Sequence, residues 1–178
     1  MKKINLLILG NSSFVKRRLI KSLNTIKTIN YKICSKSKQG KDIFFKDYKE
    51  ALKSKPDLVY ISLCNHLHFK YAKIALLKGA HVIVDKPIAP ALKQVQELVR
   101  IAKKKKLLIS EATLFNYHRI FVVIKKLCGS ISKVNHIQSN LNHPLTRTIK
   151  EVKKIQGDCE SDMSVYAAAI LRIFTKNK

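Results

Sequence analysis

The sequence predicts an α/β protein built on a doubly wound parallel sheet, followed by the start of an incomplete α+β second domain. Three observations carry this. Short apolar runs alternate with amphipathic segments over the first 118 residues. The runs are near-continuous, as in Leu58-Val59-Tyr60-Ile61, so both faces of each strand are covered, as parallel strands require. The first run ends at a glycine that opens directly into a helical pattern.

The elements follow in order. Ile4 to Leu9 is a buried strand, stopped at Gly10. Phe14 to Leu23 is a helix with Val15, Leu19, Ile20 and Leu23 on its apolar face. Tyr31 to Ser35 and Ile43 to Phe45 are the second and third strands. A helix near Lys46 to Lys53 ends before Lys55-Pro56, because the residue preceding proline disfavours helical backbone. Asp57 to Leu63 is the fourth strand, and Leu67 to Leu77 a helix that Gly79 terminates. His81 to Val84 is the fifth strand. Leu92 to Lys103 is a helix with Leu92, Val95, Leu98, Val99 and Ala102 on one face, and Leu107 to Ser110 is the sixth strand. The pattern then changes. A helix over Ile120 to Leu127, a strand over Val134 to Leu141 and a helix over Glu160 to Phe174 begin a second domain that does not finish. The expected division is 1–118 and 119–178.

Composition narrows the function. At 178 residues and 46% hydrophobic the chain buries a real core, which excludes a disordered tail. No apolar run approaches the ~20 residues of a membrane span. The first apolar stretch is too short for a signal peptide and lacks an A-x-A site, so a cytoplasmic protein is expected. The net charge is +25, but 30 of the 36 basic residues are lysines spread along the chain. Specific nucleic-acid readers cluster their charge and favour arginine, so non-specific attraction to polyanions is expected and specific recognition is not. Cys34, Cys64, Cys128 and Cys159 form no C-x-x-C pair, so free thiols in a reducing compartment are expected and zinc is not.

The motifs sit at strand ends. Gly10-Asn11-Ser12-Ser13 has the first glycine of a dinucleotide fingerprint, which lets a pyrophosphate meet a helix N-terminus. Ser12 and Ser13 could donate hydroxyl hydrogen bonds there. An ordinary turn with a serine cap reads equally well. After the second strand, Ser35 and Lys36 stand where an acid would select a free ribose 2′-hydroxyl. Hydroxyl and cation suit a 2′-phosphate, favouring NADP over NAD. An exposed lysine-rich turn is the alternative. Asn65 and His68 follow the fourth strand, on the ligand edge of such a sheet. His68 faces a cofactor or caps a helix, and the absence of neighbouring acids and cysteines argues against metal. Asp85-Lys86-Pro87 follows the fifth strand. A cation there can stabilise a developing alkoxide.

Together, the run from Val59 to His118 resembles the Gfo/Idh/MocA family of NAD(P)-dependent oxidoreductases, which act on sugars, sugar nucleotides and cyclitols. The hallmark E-K-P appears as Asp85-Lys86-Pro87. N-x-x-H matches Asn65 and His68, with Cys64 in place of the usual proline. Some members carry a G-x-S-S turn like Gly10 to Ser13. The second-domain motif D-x-G-x-H/Y is matched in spacing by Asp162 and Tyr166.

The resemblance implies a Rossmann domain that binds NAD(P) through Gly10, Asn11, Ser12, Ser13, Ser35, Lys36, Asn65, His68, Asp85 and Lys86. It implies catalysis by Lys86, Tyr166 and Asp162. Lys86 would lie near the nicotinamide. Tyr166 would be the general acid/base, and Asp162, one helical turn earlier, would bind the sugar or orient the acid. A phenol titrates near ~10, so Tyr166 needs a cation such as Lys86. The expected partner is a small sugar-type substrate, with no membrane, and a homo-oligomer where the second domain is complete. The alternative is a shortened, inactive relative that at most binds the dinucleotide.

Overall fold

Alternation along the strands decides the layering. In a computed structural model, Leu7, Leu9, Val59, Ile61, Val82 and Val84 all project to one face of a sheet, while Leu6, Ile8, Ile33 and Tyr60 project to the other. The structure describes residues 3–36, 43–45, 47–128 and 159–174, together with 136, 138 and 140.

Six parallel strands form the sheet: β1 (Ile4–Leu9), β2 (Ile29–Cys34), β3 (Ile43–Phe45), β4 (Leu58–Ile61), β5 (His81–Val84) and β6 (Ile109–Glu111). Their order is β3-β2-β1-β4-β5-β6. This is the doubly wound arrangement expected, and its topological switch lies between β1 and β4. The helix α1 begins with a π-helical stretch, Val15–Leu19, and runs on through Ile20–Leu23. Val15 and Leu23 bury its inner side against Leu6, Ile8 and Tyr60. On the opposite face, α3 (Asn65–Leu77) and α4 (Leu92–Lys105) cover the sheet through Ala72, Ala75, Leu76, Leu98 and Ala102.

Two shorter features hold the flanks. Asp47 caps α2 (Tyr48–Ala51) by accepting a 2.9 Å hydrogen bond from the Glu50 amide. The chain then passes through a 3-10 turn, Leu52–Ser54, and Lys55 takes left-handed backbone before Pro56. The C-terminal end of α4 also closes on a left-handed residue, Lys106. Its last turn carries Lys103, Lys104 and Lys105, which suit the negative end of the helix dipole.

The chain divides into two compact units, Met1–Ala112 and Thr113–Lys178. In the second, a 3-10 turn (Leu114–Tyr117), α5 (Arg119–Cys128) and α6 (Cys159–Phe174) are described. The strand expected over Val134 to Leu141 falls where only 136, 138 and 140 are described, and none of these three is in a strand.

Candidate active site

The register of the sheet lines up the candidate residues. Leu9 pairs with Cys34 and Ile61, Ile61 with Val84, and Val84 with Glu111. One residue further on, Ser35, Gly10, Ser62, Asp85 and Ala112 form a row along the C-terminal edge. Backbone hydrogen bonds continue the ladder into this row: Gly10 N–H to Cys34 O, Ser62 N–H to Leu9 O, Asp85 N–H to Ile61 O and Ala112 N–H to Val84 O, each 2.8 Å. Ligands of open α/β sheets bind at this edge, beside the switch point.

At the switch point Gly10 is buried and has φ +102°. A Cβ there would collide with the Ser62 carbonyl, 2.8 Å from its carbon. Only glycine satisfies both the left-handed backbone and this approach. The turn leads straight into α1, with Ser13 exposed and Asn11 half-buried. A glycine turn that opens onto a helix N-terminus is the cradle a dinucleotide pyrophosphate needs, so these residues fit that group.

Of the two readings open for Ser12, the structure takes the serine cap. Its Oγ accepts from Val15 N–H at 3.2 Å and lies 2.8 Å from Ser62 Oγ. Ser62 donates its own proton to Asp85 Oδ2 at 2.5 Å, so Ser12 must donate to Ser62. The Ser12 proton is therefore committed within the protein and is not offered to a phosphate. The other Asp85 oxygen accepts from the Tyr60 hydroxyl. Burial first, and then the Asp85 charge, push the Tyr60 phenol far above its ordinary range, which keeps it a donor.

The segment after β5 is anchored at three successive points. Asp85 is tied to Tyr60 and Ser62. The Pro87 carbonyl lies 2.7 Å from His68 Nδ1, and Ile88 N–H donates to Glu111 Oε2 at 2.8 Å. The Lys86–Pro87 peptide is cis, and Lys86 is half-buried between the first two anchors. His68 is fully buried, and its Nε2 lies 2.9 Å from the Leu63 carbonyl. Both ring nitrogens face backbone, so His68 joins the loops after β4 and β5 and does not present itself to a ligand. Asn65 occupies the first position of α3, after the exposed Cys64.

At the far side of the switch point, Ser35 is buried and its N–H donates to Phe45 O at 3.0 Å. Lys36 is exposed, with Nζ 5.6 Å from the Tyr48 ring centroid. Beneath it Cys34 is buried, and its thiol is pushed up to about 12 by burial, then by the charges of Asp47 and Glu50. In the second unit, Asp162 and Tyr166 lie four residues apart on α6, and Tyr166 is half-buried. Among the described residues, no cluster of three or more histidines, cysteines or acids could hold a metal ion.

Tyr60, Ser62 and Glu111 escape a motif search. Two signals point to the first pair. They are polar positions of one parity in an otherwise aliphatic strand, and buried polar groups need partners. Glu111 ends β6, paired with Val84, one residue before the site row.

Residues 16–113 match the model of the Gfo/Idh/MocA family, described as an oxidoreductase family with an NAD-binding Rossmann fold. The chain belongs to this family. The uncharacterized oxidoreductase YhhX of Escherichia coli (strain K12) is 32% identical over 114 residues, 62% of this chain and 32% of that protein. A dTDP-3,4-didehydro-2,6-dideoxy-alpha-D-glucose 3-reductase of Saccharopolyspora spinosa is 26% identical over 187 residues, 97% of this chain and 56% of the relative. Among solved structures, KijD10, a 3-ketoreductase from Actinomadura kijaniata in complex with NADP, superimposes with a TM-score of 0.65. It is 22% identical, covering 71% of this chain and 44% of that one, and so bears on the fold alone. The chain spans about a quarter to just over half of the length of the curated relatives it matches.

Proposed function

We propose that residues 1–118 are the NAD(P)-binding domain, and 119–178 part of the substrate domain, of an oxidoreductase. Its substrate is a hydroxyl or ketone of a sugar, sugar nucleotide or cyclitol. The observation that carries this reading is the Gly10 turn, set at the switch point with a Cβ-excluding approach to Ser62.

In this reading Gly10, Asn11, Ser13 and the first amides of α1 hold the pyrophosphate, with Ser12 as their buttress. Ser35 and Lys36 take the adenosine ribose, and the Lys36 ammonium favours the 2′-phosphate of NADP over NAD. Asn65 and Lys86 serve the nicotinamide side, with Asp85 and His68 setting the backbone around them. When bound, the nicotinamide supplies hydride exchange with a substrate carbon. Lys86 holds negative charge at the substrate oxygen. Tyr166 moves the proton at its phenolic oxygen, and Asp162, at i−4 on the same helix, orients substrate or acid. The Saccharopolyspora spinosa relative is named for reduction of a keto sugar nucleotide, which supports that substrate class.

The test is a titration of NADPH, and separately NADH, followed by nicotinamide fluorescence in moderate salt. Saturable NADPH binding that survives salt and weakens in Lys86→Ala is the expected result. Equal loss of both nucleotides with salt would overturn the reading. Binding without turnover of any sugar-type substrate would favour the inactive, nucleotide-binding alternative.

A further inference from the structure

The Ser12–Ser62–Asp85–Tyr60 cluster does more than fill space. Proton bookkeeping gives it a direction. An ionised carboxylate only accepts, so Tyr60 and Ser62 both donate to Asp85. A serine has one proton, so Ser62 must receive from Ser12, and Ser12 in turn receives from the Val15 amide. The chain therefore runs one way: Val15 N–H, Ser12, Ser62, Asp85. It begins in the first turn of α1, where the phosphate cradle lies, and ends on the residue before Lys86. Each link polarises the next, and the terminal charge strengthens all of them. Ser62 and Tyr60 are buried, so water competes poorly for their bonds. Ser62 also contributes the carbonyl that closes on Gly10, so the same residue touches the cradle through its backbone and Asp85 through its side chain.

We propose that this chain is a coupling strut between the phosphate turn and Lys86, with Ser62 and Tyr60 as positioning residues that act through Asp85. Occupation of the turn and placement of the Lys86 amine are then linked, each favouring the other by the same factor. This rests on the nucleotide-binding reading for its purpose, but the strut itself can be tested without a nucleotide.

The ligand-free experiment uses the whole chain with lysines carrying 13C-methyl groups, the Lys86 signal being assigned by its loss in Lys86→Arg. Ser12→Ala, Ser62→Ala and Tyr60→Phe should each shift the Lys86 resonance, and Ser62→Thr, which keeps the hydroxyl, should restore it. Circular dichroism establishes that each variant is folded. An unmoved Lys86 signal in folded Ser12→Ala would overturn the strut.

The second arm is a double-mutant cycle on NADPH affinity. Ser62→Ala should weaken binding about tenfold in the wild-type background and less than about twofold in Lys86→Ala, because its effect passes through Lys86. Two effects that simply multiply would overturn the coupling. Absence of NADPH binding in the wild type would remove the nucleotide reading, and the resonance experiment would still decide the strut.

Discussion

Gly10 is the residue on which the site turns. Its left-handed backbone and its contact with the Ser62 carbonyl exclude any side chain. Gly10→Ala should lower stability by about 1–3 kcal/mol from the backbone alone, with the collision adding to it. Urea unfolding measures this, and nucleotide affinity should fall in parallel. Tyr60→Phe keeps the buried ring but removes a donor to Asp85. Hydrogen bonds to charged groups contribute about 1.5–3 kcal/mol, so a loss of that size is expected in the same assay.

Cys34 supplies a pH signature. Its thiol rises from 9.0 to about 12 in the fold, chiefly through burial. Between those values the unfolded chain gives up a proton that the folded chain keeps, so this contribution is intact below 9 and is lost as pH rises toward 12. Burial shifts the Tyr48, Tyr60 and Tyr71 phenols in the same direction, and their contribution fades as pH rises as well. Urea midpoints at about pH 8 and about pH 10.5 should therefore fall further in the wild type than in Cys34→Ala. An equal fall would assign the alkaline loss to the tyrosines.

At the scale of elements, packing outweighs charge. The α3–α4 junction contains a Lys73–Glu97 ion pair at 2.6 Å, with side chains 40% and 33% exposed. Such pairs contribute ~1 kcal/mol or less, so Glu97→Gln should barely move the urea midpoint. Leu98 in the same helix is fully buried in the core, and Leu98→Ala should cost about 2–5 kcal/mol.

The elements were largely legible because buried parallel strands write themselves as apolar runs. The strand expected over Asp57 to Leu63 is observed as Leu58–Ile61, since Ser62 already belongs to the site row and Leu63 to the loop beyond it. The helix expected from Leu67 begins at Asn65, because Cys64 takes the extended cap position. The π-helical opening of α1 left no mark in the pattern, since Val15, Leu19, Ile20 and Leu23 fit an α-helix equally well. Motifs located Gly10 and Lys86 just past β1 and β5, and His68 in the first turn of α3. They left open whether Ser12 and His68 bond to protein groups or to a ligand, because the deciding partners come from other strands and loops, 50 residues away for Ser12 and Ser62.

For the whole molecule, the charge of +25 sets a background that any binding measurement must separate from recognition. Attraction to polyanions falls steeply with salt, because it depends on released counterions. Retention on immobilised heparin should accordingly collapse between low and moderate salt, whereas dinucleotide binding of the proposed kind, held also by the glycine turn and helix amides, should survive it. Among the described residues, no helix is long and apolar enough to cross a membrane.

The most direct test of the central claim is an amide-resolved NMR titration of the 15N-labelled chain with NADPH in moderate salt. The account predicts saturable shifts concentrated at Gly10 to Ser13, Ser35, Lys36, Asn65 and Asp85 to Ile88. Shifts scattered over the lysine-rich surface and erased by salt would contradict it.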